Sequence, residues 1–203
     1  MTVAIGADIA RFGSDMTAIV TVVDTRVMGL DEWSGRDLMD TTGRIMKTIE
    51  AHDGDVVLAV DDTGLGGGVV DRLTELGVNL LPINYGARAY DSDRFANKAA
   101  EMGWRLRELH DPEGVEPIRY SPSHPLLDRL MAQISGVRYK FTSAGKIQVV
   151  KMSDGEDSPG LYDALCLAYE AWVTFWSGHS VSERSVRNEA VFGHLLEEVN
   201  HAS

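Results

Sequence analysis

Apolar positions along this chain fall in short runs broken by turn signals and in stretches of helical period. Thr2–Ile9 is a short apolar run with Asp8 near its end, Met16–Val23 is rich in β-branched residues, and Val27–Trp33 is a third such run. Turn signals at Arg11-Phe12-Gly13-Ser14 and Asp24-Thr25-Arg26 separate them, which predicts a three-stranded antiparallel meander. A helical stretch follows. Residues Asp37–His52 place Leu38, Thr42, Ile45, Met46 and Ile49 on one stripe, the spacing of a helix. Val56–Val60 is apolar throughout, as in a strand buried on both faces. It stops at Asp61-Asp62, passes through Thr63-Gly64-Leu65-Gly66-Gly67-Gly68, and leads to a helix over Val69–Leu76 and a strand over Leu80–Asn84. Strand, helix and strand in that order predict a βαβ unit, right-handed by the general rule.

The second half is mostly helical. Arg94–Leu109 is amphipathic, and Ser123-His124-Pro125 opens a helix over Leu126–Ile134. Val137–Phe141 and Lys146–Val150 flank Thr142-Ser143-Ala144-Gly145, which predicts a hairpin. Ser158 and Pro159 suit an N-cap and a first helical position. The helix they open runs to about Trp176, with Leu161, Leu165, Ala168, Trp172 and Phe175 on one side. The whole is an α/β arrangement with a mixed sheet. Residues 177–203 are polar, with one short amphipathic stretch over Val191–Val199; they read as a tail, disordered in isolation or bound to a partner.

Composition narrows the class. The 203 residues suit one domain, 1–176, followed by the tail 177–203. With 44% hydrophobic and 25% charged residues the chain is globular rather than disordered. The apolar runs fall far short of the ~20 residues of a membrane span, and nothing marks a signal peptide, so a soluble intracellular protein without membrane contact is expected. The single cysteine, Cys166, excludes an internal disulfide and a zinc cluster and reads as core. Net charge is −12, which taken alone speaks against a nucleic-acid binder. The charge is uneven, however: −8 over residues 1–85, +3 over 86–151 and −7 over 152–203. A basic middle leaves room for a polyanion held locally, beside the plainer reading of a solvated mixed surface.

Three acids share a position. Asp8 ends the first strand, Asp61 ends the buried strand with Asp62 beside it, and Asp163 lies in the first turns of the last helix. Carboxylates next to buried strands need a reason. One is a divalent ion, since magnesium is held by a few hard oxygen ligands plus water and phosphate. The other is that strand ends face solvent and Asp is a common turn residue. Gly6, Gly13 and the run Gly64 to Gly68 lie close by and read as places where backbone approaches a ligand or turns with positive φ. No Walker A loop is present, because the only Gly-Lys, Gly145-Lys146, is followed by Ile147. No dinucleotide fingerprint opens a helix, and the six histidines show no metal-binding spacing.

Three segments carry a family resemblance. Gly6-Ala7-Asp8-Ile9-Ala10-Arg11-Phe12-Gly13-Ser14-Asp15-Met16-Thr17 resembles the first nuclease motif of the large terminase subunits of tailed bacteriophages. Asp61-Asp62-Thr63-Gly64-Leu65-Gly66-Gly67-Gly68-Val69-Val70-Asp71 is similar to the second, and Ser158-Pro159-Gly160-Leu161-Tyr162-Asp163-Ala164-Leu165 to the third. They occur in the family's order and spacing, over roughly residues 1–176. The resemblance implies a ribonuclease H-like fold and an endonuclease that cuts concatemeric double-stranded viral DNA during packaging. It implies Asp8, Asp61 and Asp163 as the catalytic, metal-binding triad, with Asp15 as an added metal acid and Asp62 competing with Asp61; the Asp-x-x-Gly-x-Gly spacing favours Asp61. Gly160 stands where the family commonly has an acid. The implied cofactors are Mg2+ or Mn2+, as two ions. The implied partners are DNA, a packaging ATPase, the small terminase subunit and the portal, in the cytoplasm of an infected bacterial host. Without a Walker A, the chain matches the nuclease half alone.

For such an enzyme the DNA contacts would be mainly to phosphate. Arg11, Arg138, Lys140, Lys146 and Lys151 are the candidates, with Arg88, Arg94 and Lys98 in the same basic stretch. The hairpin carries three of them. Competing readings are a non-catalytic docking module of the packaging motor, a Holliday-junction resolvase, and an actin- or sugar-kinase-like ATPase. The last needs two such domains and more residues than this chain has.

Overall fold

In the computed structural model, residues 2–10, 16–113, 117–150 and 159–178 are described. The expected meander is β1 (Thr2–Asp8), β2 (Thr17–Val23) and β3 (Arg26–Trp33), paired antiparallel in sequence order. Helix α1 (Leu38–Glu50) follows, capped by Asp37, whose side chain accepts from Asp40 N at 2.8 Å. Next come β4 (Asp55–Asp61), α2 (Gly66–Glu75) and β5 (Leu80–Ile83). β4 lies parallel to both β1 and β5, so the βαβ unit is present and joins the meander into one mixed sheet. Its order is β5-β4-β1-β2-β3-β6. The two-residue edge strand β6 (Arg119–Tyr120), parallel to β3, is too short to show in the sequence pattern.

The remaining helices are α3 (Lys98–Leu109), α4 (Leu127–Gly136) and α5 (Gly160–Gly178), with the expected hairpin β7 (Arg138–Phe141) and β8 (Ile147–Val150) forming a separate two-stranded sheet. Two boundaries differ from the sequence reading by three residues or more. α3 starts at Lys98 rather than Arg94, because Asn97 caps it, accepting from Ala100 N at 3.0 Å, and Phe95 bridges to Ile147 instead. α2 starts at Gly66 rather than Val69, so the glycines form its first turn.

Side-chain alternation explains the layers. Val3, Ile5 and Ala7 of β1 and Leu58 and Val60 of β4 share one core with α1 and α2. Ala4 of β1, Ala18, Val20 and Val22 of β2, and Ala59 of β4 face the other way, into a core built with α3, α4 and α5. With a period of two, Gly6 and Asp8 lie on the Ala4 side, and Asp61 lies on the Ala59 side. Helix α5 was expected to bury one stripe. It is instead buried on every side from Gly160 to Trp172, as a central helix should be. Leu161, Leu165 and Leu167 are fully buried, each worth about 1.5–3 kcal/mol relative to exposure. Cys166 and Trp172 are core, as expected.

Candidate active site

Parallel pairing fixes the first two acids. Ala7 of β1 lies opposite Val60 of β4, so Asp8 and Asp61 stand one register step further on, at neighbouring strand ends and on the same face. Neighbouring strands lie about 4.8 Å apart. Both acids are buried, whereas Asp62 is exposed, and its N–H is tied to the Ile83 carbonyl at 2.9 Å. Alternation therefore selects Asp61 over Asp62 for the covered face.

The third acid arrives from above. Helix α5 crosses β1 so closely that a Cβ on Gly6 would lie 2.0 Å from the Ala164 carbonyl oxygen and 2.3 Å from the Ala168 nitrogen. Gly6 is therefore required for helix packing, not for the ligand approach read from the sequence. Its neighbours on that face, Ala4, Ala18 and Ala59, are also small. The first turn of α5 ends above Asp8: a Cβ on Gly160 would be 3.4 Å from Asp8 Oδ2 and 3.0 Å from the Met16 carbonyl oxygen. A side chain at Gly160 would thus press on the Met16 carbonyl and on Asp8, a tight fit at the position where the resemblance leads one to expect an acid. Asp163 follows one turn later, buried, its N–H donating to the Pro159 carbonyl at 3.0 Å.

Tyr85 reports on how these acids converge. It lies two residues beyond β5, half-buried, and its hydroxyl donates to the Asp163 carbonyl oxygen at 3.1 Å. Its phenol is pushed well above the usual range, first by burial and then by the charges of Asp163, Asp8, Cys166 and Asp61. A single phenol feels all three acids, which come from β1, β4 and α5. The sequence reading missed Tyr85. The available signal was its place just after the third parallel strand, at the carboxyl edge where ligands of open α/β sheets gather.

Thr63 is the other added residue. Its N–H donates to Asp61 Oδ1 at 3.1 Å, and its hydroxyl lies 2.7 and 2.6 Å from the two Asp61 carboxylate oxygens. Among the described residues, no three His, Cys, Asp or Glu side chains form a group that could clasp an ion between them. Like charges repel, and Asp61 directs its oxygens to Thr63. The donor chemistry nevertheless suits a hard divalent cation: the acids at this edge offer carboxylate oxygens only, with no thiolate or imidazole among them. Asp15 and Arg11, between β1 and β2 in sequence, lie outside the described residues, as do Lys151, Ser158 and residues 179–203.

The basic candidates divide. Arg138 and Lys140 are exposed on β7, alternating with exposed Tyr139 and Phe141; Arg138 Nη1 donates to the Val137 carbonyl at 3.0 Å and to that of Ser135. Lys146 is half-buried and its ammonium donates to the Ser92 carbonyl. Arg88 is exposed and bonded to Ser92 Oγ at 2.7 Å. Arg94 lies over Phe95 and Trp104 and pairs with Glu108 at 3.5 Å. Lys98 is not a surface cation at all. It is buried between Glu101 at 3.1 Å and Glu170 at 2.6 Å, with Arg105 completing the network at 3.4 Å from Glu101 and 3.2 Å from Glu170.

No protein-family model matches the chain, and no curated protein sequence does. Solved structures do. A variant gp2c of the large terminase subunit from bacteriophage Sf6, with calcium, superposes with a TM-score of 0.71 at 20% identity, over 82% of this chain and 87% of that one; the nuclease domain of the large terminase subunit gp2 of Sf6 gives 0.67 at 17%, over 82% and 86%. The large terminase nuclease of thermophilic phage G20c with bound magnesium gives 0.62 at 19%, over 83% and 80%. Other structures of these two proteins hold manganese and cobalt. The fold is therefore α/β of the ribonuclease H-like kind, as the three motifs led one to expect, and it is the fold of terminase nuclease domains.

Proposed function

We propose that this chain is the metal-dependent nuclease domain of a phage large terminase subunit, hydrolysing phosphodiester bonds of double-stranded DNA during genome packaging. The observation that carries the reading is the meeting of Asp8, Asp61 and Asp163, from three separate elements, around Tyr85 at one sheet edge. That the superposed structures are terminase nucleases, several with divalent ions, supports it.

In this reading Asp8, Asp61 and Asp163 would hold two divalent ions, Mg2+ or Mn2+, with Asp15 as an additional ligand. Such ions, when bound, supply an activated water and stabilise the leaving oxygen of an in-line displacement. The chain's own residues do the rest. Asp8 and Asp61 present their oxygens from adjacent parallel strand ends, and Thr63 holds the Asp61 carboxylate in a fixed rotamer. The α5 N-terminus lies against Asp8, so its partial positive charge favours the ionised acid and an incoming phosphate. Arg138 and Lys140 would touch backbone phosphates without reading sequence, as would Arg11 and Lys151; Lys146 would do so only on leaving the Ser92 carbonyl. The partners would be a packaging ATPase, the small terminase subunit and the portal, met in the cytoplasm of the infected host. Among the described residues no helix is long and apolar enough to cross a membrane.

The test is nicking of supercoiled plasmid at low salt with EDTA, Mg2+ or Mn2+, comparing the native chain with Asp8→Asn. Metal-dependent cutting abolished by the substitution is expected. The alternative reading is a non-catalytic docking module of the motor with the same fold. Absence of both cutting and calorimetric metal binding would favour it. A preference for branched over linear duplex would favour a resolvase.

A further inference from the structure

Helix α5 presents an unusual mechanical problem. An amphipathic helix is held in rotation by its apolar stripe, but α5 is buried on all sides from Gly160 to Trp172. An apolar stripe therefore does not set its rotation, and each residue step is 100°. The seat of Ala164 and Ala168 on Gly6 sets it at one point, and polar ties set it further. Glu170 is bonded to Lys98 at 2.6 Å and to Arg105 at 3.2 Å, both on α3. Two turns earlier, the Asp163 carbonyl accepts from the Tyr85 hydroxyl at 3.1 Å. With the Tyr162 N–H donating to Gln133 Oε1 at 3.0 Å and the Tyr169 hydroxyl to the Thr25 carbonyl at 3.1 Å, these ties hold α5 along its length; the Tyr85 bond is the one that comes from the sheet edge where Asp61 stands.

Tyr85 is itself firmly mounted. The Asp62 N–H bonds the Ile83 carbonyl at 2.9 Å, which anchors the end of β5 to the end of β4. The Tyr85 carbonyl accepts from Ala99 N at 3.0 Å, and the Ala87 carbonyl accepts from Lys98 N at 2.8 Å. The Asn84 side chain closes the turn by accepting from Gly86 N at 2.8 Å. The backbone on both sides of Tyr85 is thus tied to β4 and to the start of α3, and the phenol is an arm of fixed length reaching from the sheet edge to the first turns of α5.

We propose that Tyr85 is a positioning residue, whose bond to the Asp163 backbone sets the height and rotation at which the Asp163 carboxylate stands over Asp8 and Asp61. The inference rests on the nuclease reading and extends it to a residue that none of the three motifs contains. Metal ligands must be placed to a few tenths of an ångström, so a loosened Asp163 would weaken ion binding without touching the DNA-binding surface.

The experiment compares the native chain, Tyr85→Phe and Asp8→Asn by Mn2+ calorimetry and by plasmid nicking over a range of Mn2+ concentrations. Tyr85→Phe keeps the ring and removes the bond. The expected result is Mn2+ binding weakened about tenfold, the size of one net hydrogen bond, with kcat reduced at low Mn2+, restored at high Mn2+, and KM for DNA unchanged. Native Mn2+ affinity and kcat in Tyr85→Phe, with Asp8→Asn inactive, would overturn the role of Tyr85 and leave the nuclease standing. A loss that no Mn2+ restores, together with a lowered melting temperature, would make Tyr85 merely structural and also overturn it. A native chain that neither binds Mn2+ nor cuts would remove the nuclease reading itself.

Discussion

Gly6 lies so close beneath Ala164 that any β-carbon there would fall 2.0 Å from a backbone carbonyl oxygen. The obstacle is main chain on both sides, so no rotamer change relieves it. Gly6→Ala should therefore lift α5 from β1 and cost about 3 kcal/mol or more, at the upper end of overpacking effects. Urea unfolding followed by circular dichroism measures this. A loss below about 1 kcal/mol would mean that the helix rides higher than described. Gly160→Ala, 3.0 Å from the Met16 carbonyl oxygen, should be milder.

The exposed Asp62 and the covered Asp61 offer a direct contrast. Asp61→Asn should reduce metal-dependent nicking more than about 100-fold, beyond the 10- to 100-fold typical of residues one layer out from a metal. Asp62→Asn should leave it within about twofold of native. Equal losses would mean that both acids reach the ions.

Lys98 and Arg105 together neutralise two buried carboxylates, so removing Lys98 leaves two acids to one cation. Lys98→Met should destabilise the protein by about 3–5 kcal/mol, the usual cost of breaking a buried pair from one side. It should do so without changing KM for DNA, since the side chain cannot reach a phosphate. A selective rise in KM would restore it as a DNA-binding residue.

The same network makes a prediction for acid. Burial pushes the Glu101 carboxyl up, but Arg105, the Asp91 N–H and Lys98 together outweigh it and bring the group below its usual value of 4.5. A carboxylate lowered in the folded state adds stability that is complete above its unfolded pKa and fades as pH falls through the lower folded one. Stability measured by urea midpoint should thus decline below about pH 4.5, and Glu101→Gln should flatten that decline. An unchanged slope in the variant would remove Glu101 from the acid response.

On the hairpin, Arg138 and Lys140 are exposed while Lys146 is turned toward Ser92. Arg138→Glu with Lys140→Glu should weaken DNA binding and lower the dependence of log K on log salt by about 1 for each phosphate no longer neutralised. Metal binding by calorimetry should not change. An unaltered salt slope would place the DNA elsewhere.

Much of this was legible in the sequence, because much of it is local. Apolar and β-branched runs bounded by turn signals located β1 to β5 and the hairpin, helical spacing and end signals located the five helices of the described residues, and apolar runs halted by Asp8 and Asp61 marked the sheet edge. The motif order joined Asp163 to them. Other features depend on which distant segment covers a given face. Asp61 and Asp62 are neighbours in sequence, and only the position of α5 on the Ala59 face separates them. Lys98 reads as one more surface cation until Glu170, on a helix far along the chain, closes over it. Gly6 serves a helix that begins more than 150 residues later, and Tyr85 acquires a role only because the first turns of that helix end within reach of its hydroxyl. Alternation along a strand is set by backbone geometry and survives in any context; what packs against each side is decided by long-range burial.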